Sequence, residues 1–180
     1  MIFLQDDVII LRPLEITDAD GDYPAWLNDE TTSLGNGHHR MPYSRSNARD
    51  FIATTNESSD EIVLAITKKN NNKHVGNIAL QDICWFSRSA EIAIIIGEPD
   101  GRNNGIGFRA SKLLINHGFI ALNLHSIKCK TFLNNAAMIG LAKKLGMKYV
   151  GSLRESAFKH GNYLDVEIFD LLRSDWPSQM

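Results

Sequence analysis

The residues of this chain best suited to chemistry lie between 90 and 107. An apolar stretch over 90–97 leads into Gly97-Glu98-Pro99-Asp100-Gly101 and then Arg102-Asn103-Asn104-Gly105-Ile106-Gly107. The first turn of a helix carries N–H groups without intrahelical acceptors and a partial positive charge. Glycine lets an anion approach that backbone closely. A strand, a glycine turn and a helix start in this order predict a dock for a polyanionic cofactor, its diphosphate at the turn. Two other readings use the same glycines. Gly105-Ile106-Gly107-Phe108-Arg109-Ala110 fits the dinucleotide spacing G-x-G-x-x-[GA]. That motif belongs to an early βαβ unit with an acid about 20 residues on, whereas the next strand here reads Ile127-Lys128-Cys129-Lys130-Thr131. The second is a purely structural turn. A P-loop is excluded, because Gly-Lys-[Ser/Thr] is missing.

Periodicity supplies the elements that must hold this turn. Residues 8–14 predict a first strand. Thr17, three residues before Asp20, predicts a helix start near 18–28. Residues 30–43 have no clear period and read as a loop. Ser46 is placed to cap a second helix with Ala48, Phe51 and Ile52 on one face. Strands over 61–67 and 74–85 bracket the polar tip Lys68-Lys69-Asn70-Asn71-Asn72-Lys73. Residues 90–97 form a fourth strand, apolar on both faces. A helix over 105–122 follows, with Ile106, Ala110, Leu113, Leu114 and Ala121 aligned. Residues 126–132 form a fifth strand. A helix stopped by Gly146 comes next, then strands over 149–153 and 165–172. Three consecutive strands argue for an antiparallel part, and strand–helix–strand over 90–132 for a parallel crossover.

The 180 residues are 43% hydrophobic and 22% charged, with a formal net charge of -2. That balance gives no basic field for nucleic acid, and no apolar run reaches the ~20 residues of a membrane span. Cys84 and Cys129 stand apart, so a disulfide framework or zinc site is not expected, and a reducing cytoplasm is the expected location. His38-His39 lacks metal-ligand spacing, so no metal is expected.

Several of these residues resemble the GCN5-related N-acetyltransferase (GNAT) superfamily. Arg102-x-x-Gly105-x-Gly107 after an apolar strand looks like its acetyl-CoA pyrophosphate loop. Glu91 opens that strand, Asn135 precedes the second helix, and Leu145-Gly146-Met147 stands where the family often has Leu-Gly-Phe. Leu11-Arg12-Pro13-Leu14 resembles the opening strand of ribosomal-protein N-acetyltransferases. Trp26-Leu27-Asn28-Asp29 occurs in relatives that acetylate amino sugars, and Arg154-Glu155 through Asp165-Val166 resembles the subgroup's last hairpin.

The resemblance implies one N-acetyltransferase domain over 1–180. Its fold would be mixed α/β (α+β), a mostly antiparallel seven-stranded sheet with about four flanking helices. Its fourth and fifth strands would form a central parallel pair that splays. It implies direct attack of a primary amine on acetyl-CoA, the amine belonging to an amino sugar, a polyamine or a protein N-terminus. The alternative is a non-catalytic acyl-CoA-binding module. Glu91 would be the base, acting through water. Main-chain groups of Ile94 and Ile96 would pair with the pantetheine arm, and a backbone N–H near Ile95 or Ile96 would serve the oxyanion. Arg102, Asn103, Asn104, Gly105, Ile106 and Gly107 would contact the diphosphate, with Asn135 on the cofactor as well. Many members carry a tyrosine as general acid three residues before the Leu-Gly pair, where this chain has Ala142. Tyr23, Trp26, His38, His39, Arg40 and Tyr163 are candidates for the acceptor pocket, and a homodimer is a further expectation.

Overall fold

β-branched residues and period-two patterning place strands much as the sequence predicts. The computed structural model describes residues 1–102 and 104–177; Asn103 and residues 178–180 lie outside it. Its elements are β1 (Leu4–Gln5), β2 (Ile9–Pro13), α1 (Tyr23–Asn28), α2 (Arg45–Glu57), β3 (Ile62–Lys68), β4 (His74–Cys84) and β5 (Ser89–Ile96), followed by α3 (Ile106–Ile120), β6 (Ser126–Phe132), α4 (Ala136–Lys144), β7 (Lys148–Lys159) and β8 (Asn162–Leu172). One mixed sheet runs β1-β2-β3-β4-β5-β6-β8-β7, antiparallel except for β5 with β6. The expected α/β fold with its parallel central pair is therefore present. The extra strand, β1, is two residues pairing with Leu11 and Ile10, too short to leave a pattern.

The sheet separates two cores. On one face α3 and α4 pack Ile106, Leu114, Phe119 and Ala142 against Leu64, Ile66, Ile92 and Ile127. On the other, Tyr23, Trp26, Leu27, Ala48 and Ile52 cover Ala65. β5 feeds both, with Ile92, Ile94 and Ile96 toward the first and Ile95 toward the second. That position explains its near-continuous apolar sequence.

Two helix starts differ from expectation. Residues 18–28 do not form one helix: a 3₁₀ turn (Ile16–Asp20) precedes α1. The anchor is Asp18 rather than Thr17. Its carboxylate accepts two bonds from Arg12, at 2.7 and 2.8 Å, and one from the Glu15 N–H at 2.8 Å, with His74 Nδ1 at 3.4 Å. α2 begins one residue before the expected cap, because Ser44, not Ser46, accepts the Asn47 N–H at 3.1 Å.

Asp18 is 8% exposed. Burial opposes its ionisation, but the bonds from Arg12, His74 and Glu15 outweigh that and hold it below the usual carboxylate range. A depressed folded value gives stabilisation that is fully present above the unfolded value of about 3.9 and is lost as pH falls through the folded one. Arg12→Met is expected to cost about 3 kcal/mol near pH 7, because it strands a buried charge. Urea unfolding between pH 3 and 7 checks this: the wild type should lose stability across the acid end, and the variant should show a flatter dependence.

Candidate active site

Parallel pairing between β5 and β6 is brief. It covers Ser89↔Ser126, Ala90↔Ile127 and Glu91↔Lys128, and then the strands part. The gap opens into a cleft of about 980 Å³. Ile92 to Ile96 line it along β5, Lys130 and Thr131 along β6, Gly105, Gly107 and Phe108 at the start of α3, and Ala136, Met138 and Leu141 along α4. Tyr23, Leu27, His38, Tyr43 and Glu61 line its remaining wall.

Backbone polarity in the gap follows from strand alternation. The Gly97 N–H bonds to the Val75 carbonyl at 3.0 Å, so residues two apart from Gly97 face β4, Ile95 among them. A Cβ on Gly76 of β4 would lie 2.2 Å from the Ile95 oxygen, on that same side. Main-chain groups of Ile94 and Ile96 therefore face the gap. Of the two expected oxyanion donors, Ile95 points away and Ile96 points in. Beside them Thr131 Oγ1 is buried and has no hydrogen-bond partner among the described residues.

α3 begins at Gly105 in the left-handed conformation, φ 76°, with no side-chain cap. The first main-chain bond back to Gly105 comes from Arg109, at 3.0 Å. The N–H groups of Ile106, Gly107 and Phe108 thus lie in the uncapped first turn. The Ile106 side chain is core, so only its backbone is available to a ligand. Asn104 is exposed just before the turn, and Asn103 falls outside the described residues.

Three candidates have their side chains bonded to the protein itself. The Arg102 guanidinium is committed to protein: it donates to the carbonyls of Ile96 (3.2 Å) and Gly97 (3.1 Å) and to Thr32 Oγ1 (2.7 Å). It clasps the turn instead of offering a free charge. Asn135 is the α4 N-cap, accepting from the Met138 N–H at 3.1 Å, and its amide donates to the Gly35 carbonyl at 2.9 Å. It lines the cleft while tying down the loop before α2. Trp26 belongs to the scaffold, not the acceptor wall. It is buried, donates to Glu98 Oε1 at 3.1 Å, and fills the space where a Gly97 Cβ would lie 1.9 Å from its ring.

Among the aromatic and histidine candidates, Tyr23 and His38 line the cleft. Burial, then the Tyr43 hydroxyl, pushes Tyr23 upward, so it stays a phenol. Burial, then Lys159, pushes His38 below its usual value, so its imidazole is neutral at pH 7. His39 lines a separate cavity. Tyr163 is exposed on β8 with its ring against Phe158, centroids 5.1 Å apart; it borders neither cavity.

Glu91 is the last residue of the parallel pairing, where the gap begins, and it adjoins the cleft without lining it. Its carboxylate meets Lys130 Nζ at 2.7 Å, and that bond raises the Lys130 pKa. Sequence reasoning missed Lys130, Thr131 and Glu61, since an alternating strand such as Lys128-Cys129-Lys130 does not say which side chain faces a gap. Cys129, pushed up to about 12 by burial and then Glu91, stays a thiol. Ala142 is fully buried and brings no acid to the cleft.

Residues 9–148 match the family described as the acetyltransferase (GNAT) domain. The chain belongs to that family. It is 32% identical over 180 residues to an uncharacterized N-acetyltransferase, p20, of Bacillus licheniformis, with 96% of this chain and 97% of that one covered. It is 32% identical over 93 residues to the spermidine N(1)-acetyltransferase of Escherichia coli, about half of each chain (52% and 50%). Among solved structures, spermidine N-acetyltransferase from Vibrio cholerae, in complex with CoA and spermine, shares the fold. Its TM-score is 0.85 at 23% identity, covering 94% of this chain and 98% of that one. This GNAT chain is accordingly an N-acetyltransferase.

Proposed function

We propose that this enzyme transfers the acetyl group of acetyl-coenzyme A to a primary amine, and that the β5–β6 gap holds the donor. The observation that carries this reading is the continuity of the gap with the uncapped first turn of α3. Residues present fit the group. N–H groups at 106–108 suit a diphosphate. Main-chain groups of Ile94 and the orphaned Thr131 hydroxyl suit the amides of the pantetheine arm. Bound there, acetyl-coenzyme A supplies an activated acyl group on a thiol leaving group.

The protein's own residues then have three tasks. Glu91, fixed by Lys130, takes the amine proton through a water, since only a neutral amine is nucleophilic. The Ile96 N–H faces the gap and stabilises the charge that develops on the carbonyl oxygen. Apolar walls from Ile94, Met138 and Leu141 keep bulk water out. A side-chain acid for the departing sulfur is not required, because a thiolate leaves without one. The buried Ala142 is the observation that favours a second reading, a non-catalytic acyl-CoA-binding module.

The acceptor is a proposal of its own. Relatives that acetylate spermidine would support a polyamine, and the opening-strand resemblance a protein N-terminus. The amino-sugar reading loses Trp26 as a ligand. The described charged residues lining the cleft are Glu61, Arg102, Lys130 and Lys144, of which Lys130 is paired with Glu91 and Arg102 is held by protein acceptors. Homo-oligomers are supported by a neighbour described as dodecameric.

A thermal-shift titration tests the donor. Acetyl-CoA at about 100 times its dissociation constant should stabilise the protein by roughly 2.7 kcal/mol, an increase of about 5–10 °C for a chain of this size. NAD(H) should give none. A shift with NAD(H) alone would overturn the reading.

A further inference from the structure

A second cavity, of about 380 Å³, lies where the loop between α1 and α2 meets the β7–β8 hairpin. Glu30, His39, Arg40, Phe158, Lys159 and His160 line it. It adjoins the cleft through His38, which lines the cleft while its carbonyl accepts the Lys159 ammonium at 2.6 Å. Lys159 is 7% exposed. The His38 carbonyl is its one hydrogen-bond partner among the described residues and uses one of three ammonium donors.

A buried ammonium normally keeps a carboxylate beside it, because desolvation is costly. Here the stronger of its two neighbouring charges, Arg40, has the same sign, and Glu30 offsets it only in part. Burial, and after it Arg40, lowers the Lys159 pKa. Glu30, the cavity's acid, is within ion-pair distance of His160 (3.5 Å). Among the described residues neither Lys159 nor Arg40 has a carboxylate within 4.0 Å. Two cationic side chains and one carboxylate thus line a concave site that keeps a net positive charge, next to the acceptor end of the cleft. A polycationic amine would be repelled there, and a compact oxyanion would complete the hydrogen bonding of both groups.

We infer that this cavity receives the anionic oxygen group, carboxylate or phosphate, of the acceptor, so that the substrate is an amine that also bears negative charge. This rests on the acetyltransferase reading. Calorimetry with the full chain tests the two separately. Coenzyme A is titrated first, and absence of binding there would sink the acetyltransferase reading whatever the cavity does. The CoA-saturated protein is then titrated with N-acetylglycine against N-acetylglycinamide, and with phosphoethanolamine against ethanolamine. The charged member of at least one pair should bind about 10- to 100-fold more tightly, the contribution of one or two charge-assisted hydrogen bonds. Preference in the first pair identifies a carboxylate, in the second a phosphate. Arg40→Gln and Lys159→Met should each abolish the preference and leave CoA affinity intact. Arg40 is exposed, so its variant stays informative if Lys159→Met fails to fold. Equal affinity within both pairs, a preference that survives Arg40→Gln, or faster turnover of spermidine than of any anionic amine would overturn the inference.

Discussion

Glu91→Gln is expected to lower kcat by about 100-fold or more, the range for loss of a general base, with acetyl-CoA affinity unchanged. The substitution keeps shape and one acceptor oxygen for Lys130, now 2.7 Å from the carboxylate, so the end of the β5–β6 pairing should hold. Glu91 does not line the cleft, and an effect confined to kcat therefore separates proton transfer from donor binding. Steady-state kinetics with thiol release, beside calorimetry for acetyl-CoA, makes the distinction. A fall of less than about tenfold would reject Glu91 as the base. The neutral His38 imidazole in the cleft wall would then be the next group to replace. No turnover of any amine by the wild type, despite tight acetyl-CoA binding, would favour the non-catalytic module.

Much of this site is legible because its requirements are conformational. Gly105 must adopt φ 76°, and a glycine opening a helix after an apolar strand is visible in any reading of the chain. The alternating strands and the stop at Gly146, φ 81°, are legible for the same reason. What stayed hidden depends on three-dimensional competition for partners. Arg102 looks like a phosphate ligand until three protein acceptors are found around its guanidinium. Trp26 looks like a stacking surface until Gly97 is seen to make room for it. Lys159 reads as an ordinary hairpin charge, and no periodicity reports that its ammonium is buried against His38. The break at Gly21 between the 3₁₀ turn and α1 is likewise set by Asp18 turning toward Arg12, a contact six residues apart.

Gly107→Val should weaken acetyl-CoA binding by about 100-fold, roughly 2.7 kcal/mol, while moving Tm by no more than a few degrees. A Cβ at 107 would meet Ile94 Cδ1 at 3.6 Å and Leu141 Cδ2 at 3.9 Å, ordinary contacts. The fold accepts the side chain, and valine in a helix costs less than about 1 kcal/mol. The added atoms occupy the space between β5 and α4 through which the donor must run. Two neighbouring glycines provide the contrast. A Cβ at Gly105 has nothing within 4 Å but sits at positive φ, so Gly105→Ala should destabilise by about 1 kcal/mol with a smaller loss of affinity. Gly97→Ala would drive its methyl into the Trp26 ring and should fail through the fold, with a cost of 1–3 kcal/mol or more typical of overpacking. Calorimetry on all three, read beside their melting temperatures, separates occlusion from strain. Acetyl-CoA affinity retained in Gly107→Val would mean that the donor does not thread between Ile94 and Leu141, and would remove the physical basis for placing its diphosphate on the first turn of α3.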